Sequence, residues 1–547
     1  MPLDTNQVLG LYINRLTASD QEVKQLKAAL KGNLLTPTDD PEGYNEARVI
    51  GKKGTKTWNI DAMGYPSAIA LCSTPNDVSE CLKFYRKHCF SPGDKKQAIP
   101  LCIACGRHSH QSLKSDSFVI DLSLMRGVKV NPEEKYVDVP GGSLQRDIDE
   151  ATAPYNLATT AGHVGSTGCG GLIIQGGHGF LERVFGLAID NLLEVDVVTP
   201  DGNLITADEK TNSDLFWAIK GGGGNFGVVT RFRLRLHPIP PKIFAGQRVH
   251  MPLGGWFKNR SFLIQKFASV TVESKDNKAG GLLVLPCAGP VVEMLLYVDD
   301  PEVGKKYFAK HRKEIGWPIS DNMKPRSYHN EIQKFAPDEK GNYYMTGILL
   351  PKMSPKLAET LDALVSGSFE YYANSSCVIM VAPMGGAVSD KNETDTANPH
   401  RDVGFWIIVI GSWKGQPRTD YYIQNRRKSV AWVRKVKELL TPFAKGHYAV
   451  LGEVGVHAEG GKEEESKGEV SKVEEENAKT EDDTKNLTDE DLDKYREAEL
   501  EKGMCEMATG LSKRNVYGKN LAKLQRIKKQ YDPENIFRMN DNIIPKA

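Results

Sequence analysis

No run of roughly 18–20 apolar residues, the length needed to cross a bilayer, occurs in this 547-residue chain. Charge of one sign is lacking too. Lys and Arg number 71 and Asp and Glu 70, leaving a net +1. No global field therefore favours nucleic acid or an anionic membrane. Basic words such as QNRRKSVAWVRKVK read as one face of an amphipathic helix. The opening residues, MPLDTNQVLGLYINRLTASDQEVKQ, lack a basic start followed by an apolar core. That predicts a cytoplasmic protein with no secretory signal. Cysteines are present, nine of them, but odd in number and scattered. Cys102 and Cys105 are spaced as C-x-x-C, yet no second ligand pair follows. Neither a disulfide framework nor a metal site is predicted, and free thiols in a reducing compartment are the simpler reading.

Glycine, by contrast, is abundant where it is least expected. Residues 161–185 read AGHVGSTGCGGLIIQGGHGFLERVF, and residues 221–230 read GGGGNFGVVT. A third loop, GRHSHQS, spans Gly106–Ser112. Glycine lets backbone approach a ligand closely, and successive N–H groups in such loops cradle anions. Two bare-backbone loops and a histidine loop in one region point to a large, partly anionic cofactor.

The length implies two or more domains. Residues 1–57 read as a helical lead-in, with SDQEVKQLKAAL in helical spacing after a polar start. From 58 to 239 strands and helices interleave. SAIALCSTP is a strand with a Pro stop, and NDVSECLKFYRKHCF is a helix from an Asn/Asp cap, with Val78, Cys81, Leu82 and Tyr85 on one face. LLEVDVVTPDGNLITA is a hairpin turning at Pro200–Asp201–Gly202. SDLFWAIKG is a Ser-capped helix. Residues 240–458 alternate apolar strands with long helices, which predicts an antiparallel sheet covered by helices. Residues 459–505 are acidic and nearly free of large apolar groups, an insertion unable to bury surface of its own; a charged helical face is the rival reading. Residues 506–547 form a closing strip whose helix stops at Tyr531–Asp532–Pro533. The fold class predicted is α+β.

These words together resemble the berberine-bridge-enzyme-like branch of the vanillyl-alcohol-oxidase, or PCMH-type, FAD flavoproteins. GRHSHQS is similar to that family's flavin-attachment loop. VGSTGCGGLIIQGGHG with RVFGLAIDNL resembles its glycine loop and continuation. DLFWAIKGGGGNFGVVT and YGKNLAKLQRIKKQYDPENIF resemble two further elements. The likeness covers about 58–238 and 515–545 and is thin between. It implies a PCMH-type FAD domain of two α/β subdomains, built from both ends of the chain, with a substrate cap between.

The resemblance also assigns roles. His108 takes the flavin-linking position, flanked by Gly106, Arg107, Ser109, His110 and Ser112. Its rival role is a hydrogen bond to the cofactor. A second link through cysteine is excluded, because Val164 stands at that position and Cys169 reads as a small buried side chain. Gly165, Ser166, Gly168, Gly170, Gly171 and Gly177 fall to pyrophosphate and ribityl contacts or to tight turns. Thr167 takes a place that influences oxygen access. Leu172 stands where the family has a histidine, so a polar contact near the flavin is lost. Gly227, Val228 and Val229 lay backbone against the cofactor, and Tyr517 and Asn520 reach it from the C-terminal strip. The proton acceptor aligns with Glu453, with Tyr448 in reserve. The surrounding motif is eroded, and a surface role for Glu453 fits equally. The activity implied is hydride transfer from a sugar, alcohol or other natural product to FAD, with dioxygen as acceptor. Another acceptor, or a flavin-holding scaffold without turnover, stays open.

Overall fold

The computed structural model describes residues 16, 18–48, 50–51, 54–55, 57–90, 99–252, 259–335, 338–366, 376–415, 419–448 and 514–546. Glu453 and the acidic stretch therefore lie outside the described residues.

Three sheets organise the chain. The first has four strands in the order Asn33–Leu35, Ala68–Leu71, Phe118–Asp121, Leu101–Ala104. Its last three are parallel, as expected where a helix carries the chain across between strands. That helix is Pro75–His88, and it buries Val78, Cys81, Leu82 and Tyr85 as its spacing predicts. Its cap differs from the expectation. Thr74 is the N-cap, its hydroxyl accepting from the Asp77 N–H, and Pro75 opens the first turn. Proline lacks an N–H that would be unsatisfied there anyway, so it starts this helix as well as stopping the strand.

The second sheet has five antiparallel strands, ordered Leu204–Asp208, Leu192–Val198, Val228–Arg235, Tyr136–Pro140, Lys129–Asn131. The first two form the expected hairpin, closed between Val198 and Leu204 by a turn in which Gly202 has φ +82°. The helix Ser213–Ile219 is present, but its N-cap is Asn212 in the left-handed region, with no side-chain cap bond. Ser213 falls inside the helix, and asparagine tolerates the left-handed start better than most residues.

The third sheet has nine described strands, all pairs antiparallel: eight run from Ser320–Asp321 through Ile243–His250, Val291–Tyr297, Ala279–Pro286, Val378–Pro383, Phe405–Trp413 and Asn342–Leu350 to Gly446–Tyr448, and the ninth, Lys324–Arg326, also pairs with Ile243–His250. Alternate residues of a strand face opposite sides. Leu283, Leu285, Ile407 and Val409 accordingly pack with Leu263, Phe267, Leu361, Trp432 and Val436 of the covering helices. Their neighbours Leu282, Trp406 and Ile408 turn the other way, into the core shared with the second sheet.

The C-terminal strip is bolted to the glycine run at 221–227. Helix Leu521–Tyr531 carries the fully buried Lys528, whose Nζ donates to the carbonyls of Asn225 (2.7 Å) and Phe537 (2.9 Å) and to the Asp532 carboxylate (2.7 Å). Asp532 also accepts from the N–H groups of Ile536 and Phe537 at 2.9 Å each. Asn225 donates to the Asp541 carbonyl at 3.2 Å and accepts from the Ile543 N–H at 3.0 Å. Segments more than 300 residues apart are thus locked into one unit. Among the described residues no helix is long and apolar enough to cross a membrane.

Candidate functional site

A cavity of about 350 Å³ opens between the sheets. Its walls come from the histidine loop, the first glycine loop, Gly224 and Gly227–Val229, the cap strands and the C-terminal strip. Of the residues singled out from sequence, Gly106, Arg107, His108, Ser109, Ser112, Thr167, Gly168, Gly170, Gly171, Gly227, Val228 and Val229 line it.

Glycine is required where the two loops touch. A Cβ built on Gly106 would lie 2.3 Å from the Gly168 nitrogen, and one on Gly168 would lie 2.6 Å from the Cys105 sulfur. No side chain fits there, so the histidine loop and the glycine loop share one wall. Arg107 has φ 56° and sends its guanidinium away into the core, to Asp121 and the Ala47 carbonyl. It holds the loop in shape, and only the rest of the residue faces the cavity.

His108 stacks on Trp58 with centroids 4.2 Å apart and planes 4° from parallel, and Trp58 stacks in turn on Tyr343. Burial pulls the His108 imidazole down to about 4, so it is neutral at physiological pH. Its Nε2 lies 3.2 Å from the Ser166 hydroxyl, which itself donates to Asp338. A hydroxyl committed to a carboxylate accepts from the ring, so Nε2 carries the hydrogen and Nδ1 the lone pair.

Other expected residues are placed elsewhere. His110 points to Asp61 at 3.4 Å. Gly177, with φ +76°, packs on Ala188. Gly165 and Ser166 are not among the lining residues, and Ser166 meets the lining residue His108 at 3.2 Å. Tyr517 is buried and donates to the Asp541 carbonyl at 2.8 Å. Asn520 spends its amide N–H groups on the carbonyls of Glu393 (2.7 Å) and Thr396 (3.1 Å). Both therefore shape the strip that lines the cavity without lining it. Cys169 is fully buried, and burial raises its thiol well above the ordinary value. Tyr448 sits in a strand paired to Gly347; its side chain, like Glu453, is outside what is described.

Sequence reasoning missed several wall residues. His163, Gln175 and His178 line the cavity. His178 Nδ1 meets the Glu182 carboxylate at 2.6 Å, and both residues are about 2% exposed. The signal for this pair was the i,i+4 spacing of histidine and glutamate after GG. The cap contributes Leu282, Met345, Met380, Trp406, Ile408 and Ile410.

An adenine–flavin dinucleotide suits these walls. Gln111 Oε1 and Asn540 Oδ1 are buried in the lining with no hydrogen-bond partner among the described residues, and buried acceptors of this kind call for a donor. A Cβ on Gly171 would meet no protein atom within 4 Å, so it would stand in the cavity itself.

Comparison with known proteins agrees. A family model described as FAD binding domain matches residues 66–208, and one described as berberine and berberine like matches residues 486–544. An FAD-linked oxidoreductase of Dictyostelium discoideum is 26% identical over 497 residues, covering 90% of this chain and 91% of the relative. Chitooligosaccharide oxidase of Gibberella zeae is 23% identical over 529 residues, covering 90% and 92%. Among solved structures, 6-hydroxy-D-nicotine oxidase from Arthrobacter nicotinovorans superposes with a TM-score of 0.69 at 20% identity, over 94% of this chain and 98% of that one. The α+β architecture, a PCMH-type FAD domain under an antiparallel cap, is thereby the fold of this chain.

Proposed function

This chain belongs to the berberine-bridge-enzyme-like FAD-linked oxidoreductases, and we propose that it is an oxidase taking two electrons from a small organic substrate and passing them to dioxygen, which leaves as hydrogen peroxide. The observation that carries the reading is the cavity closed by both ends of the chain and roofed by an apolar sheet. FAD, when bound, supplies the electron acceptor. The rest is the protein's own work. The loops at Gly106, Gly168 and Gly171 bring bare backbone to the dinucleotide. Gln111 and Asn540 offer acceptors, and the Lys528–Asp532 lock holds the strip carrying Asn540 against the glycine run. The cap sheet excludes water above the reacting carbon and fixes its approach, which is where much of the acceleration in such reactions arises.

We further propose one covalent link, through His108. Its neutral ring and the Nε2 hydrogen held by Ser166 leave Nδ1 as nucleophile. FAD, when bound, would supply the electrophilic ring methyl, and His108 Nδ1 would be the group that holds it. Val164 offers no second attachment.

The oxidase reading is tested without a substrate. Photoreduced holoenzyme mixed with air should regain its colour rapidly and form hydrogen peroxide in equal amount. Reoxidation no faster than that of free reduced flavin in the same buffer would refute it.

A further inference from the structure

His108 is held at its edge and across its face. At the edge, Nε2 meets the Ser166 hydroxyl at 3.2 Å. One hydrogen bond tolerates a tilt of the ring about its own line. The face is covered by the buried indole of Trp58, 4.2 Å away and 4° from parallel. Edge and face together leave one orientation. Stacked rings also attract beyond the area they bury.

Trp58 is braced in turn. Tyr343, on the cap strand Asn342–Leu350, stacks on it with centroids 4.4 Å apart and planes at 18°. Two rings that close to one indole have no room side by side, so Trp58 is the middle layer of three. The backbone beside it is tied to the same strand. Asn59, fully buried, donates from Nδ2 to the Tyr343 carbonyl at 2.9 Å and accepts from the Tyr343 N–H at 3.1 Å. Its own N–H donates to the Arg107 carbonyl, next to His108, at 3.4 Å. Asp61 then accepts from Tyr422 and Arg426 of the cap helix Asp420–Leu440, at 2.9 Å each, and meets the His110 ring at 3.4 Å. The four residues Trp58–Asp61 thus splint the histidine loop to the cap.

Resting on the link at His108 for its consequence, we propose that Trp58 is a positioning residue: braced by Tyr343, it fixes the His108 ring before FAD arrives, with Nε2 kept on Ser166 and the lone pair on Nδ1. Preorganisation of this kind removes ordering that attachment would otherwise have to supply. The surrounding charges leave the ring neutral. Burial holds the imidazole at about 4, outweighing Asp338 of the cap, which favours the charged form. Arg107 of the same loop turns to Asp121, and His110 to Asp61. By covering one face, the indole supplies part of that burial.

Nitrogen NMR of the full-length apoprotein, labelled with ¹⁵N-histidine, reads the ring directly; the His108 signal is the one lost in His108→Gln. The parent should show one neutral tautomer, with hydrogen on Nε2, and titrate near its folded value of about 4. Trp58→Leu keeps apolar bulk without a flat face. It should show both tautomers and titrate closer to the ordinary 6.5. Trp58→Phe should restore the parent spectrum. Tyr343→Leu should fall between, and it decides alone if Trp58→Leu does not fold. A parent-like tautomer and titration in every leucine variant that folds overturns the proposal. A second arm follows acid-stable flavin with time at saturating FAD, which separates attachment from binding. Trp58→Leu should form it about 10- to 100-fold more slowly than the parent, and Trp58→Phe at close to the parent rate. Equal rates for Trp58→Leu and parent overturn the role of Trp58 and leave the link standing. A parent that forms no acid-stable flavin refutes the link, and the NMR result then decides on Trp58 by itself.

Discussion

Replacing Lys528 by methionine probes how the two ends of the chain are held around the cavity. The side chain is completely buried and its ammonium donates to Asp532 and to the carbonyls of Asn225 and Phe537. Methionine fills similar space without the charge. Removing one partner of a buried ion pair costs about 3–5 kcal/mol, because the other charge is left uncompensated. Two carbonyls also lose their donor, at about 1–3 kcal/mol each when nothing replaces it. Asp532 keeps the Ile536 and Phe537 N–H groups, and methionine contributes apolar contact. A net loss of about 4 kcal/mol follows from these opposing effects. For a cooperative unit of 150–250 residues that corresponds to about 8–16 °C in the unfolding midpoint. Calorimetry of the holoenzyme, followed by flavin absorbance of the filtered protein, measures both stability and cofactor retention. The double variant Lys528→Met, Asp532→Leu should lose less than the sum of the single losses, by at least about 1.5 kcal/mol. A midpoint within about 2 °C of the parent would show that the lock does not hold the strip.

Gly171→Leu should lower FAD affinity about 5- to 150-fold, from an overpacking cost of about 1–3 kcal/mol. The melting point of the apoprotein should not fall, since a Cβ there meets nothing within 4 Å beyond its own helix and its chain neighbours and leucine is the better helix former; equilibrium dialysis and scanning calorimetry separate the two. His108→Ala should retain flavin in native buffer and release it in acid, whereas the parent keeps its colour with the polypeptide; release from both, or from neither, refutes the single link. Glu293 is buried between His250 at 3.2 Å and His311 at 2.9 Å. Burial alone would raise its carboxyl, but the histidines, His311 more than His250, hold it down at about 2 against an ordinary 4.5. A depressed carboxyl stabilises the fold above its unfolded value and loses that contribution as pH falls through its folded one. Stability should therefore drop by about 3 kcal/mol between pH 4.5 and 2. Glu293→Gln should be less stable at pH 7 and should flatten this acid slope in denaturant titrations; an unaltered slope would contradict the pairing.

The glycine loops were legible because backbone chemistry is local. A run such as GGGGNFG states its conformational need without help from distant residues. Helix faces and the hairpin were legible for the same reason, through period and turn residues. Caps were not, since Thr74 and Asn212 compete with equally good neighbours and the surrounding fold decides. FWIIVIGSW reads as an apolar strand, but nothing in its letters says that the face carrying Trp406, Ile408 and Ile410 roofs a cavity. Tyr517 and Asn520 sit in a recognisable word, yet Tyr517 bonds to the strip's own backbone at Asp541 and Asn520 ties the strip to the carbonyls of Glu393 and Thr396. His178 and Glu182 were visible as letters at i and i+4; only the sheet laid over them makes their environment.

The central claim is that both ends of the polypeptide close around one flavin dinucleotide. Its most direct measurement is the flavin absorbance of the purified chain against its protein concentration, before and after incubation with FAD and removal of the excess. The account predicts one FAD per chain. A colourless protein that takes up no FAD under native conditions would contradict it.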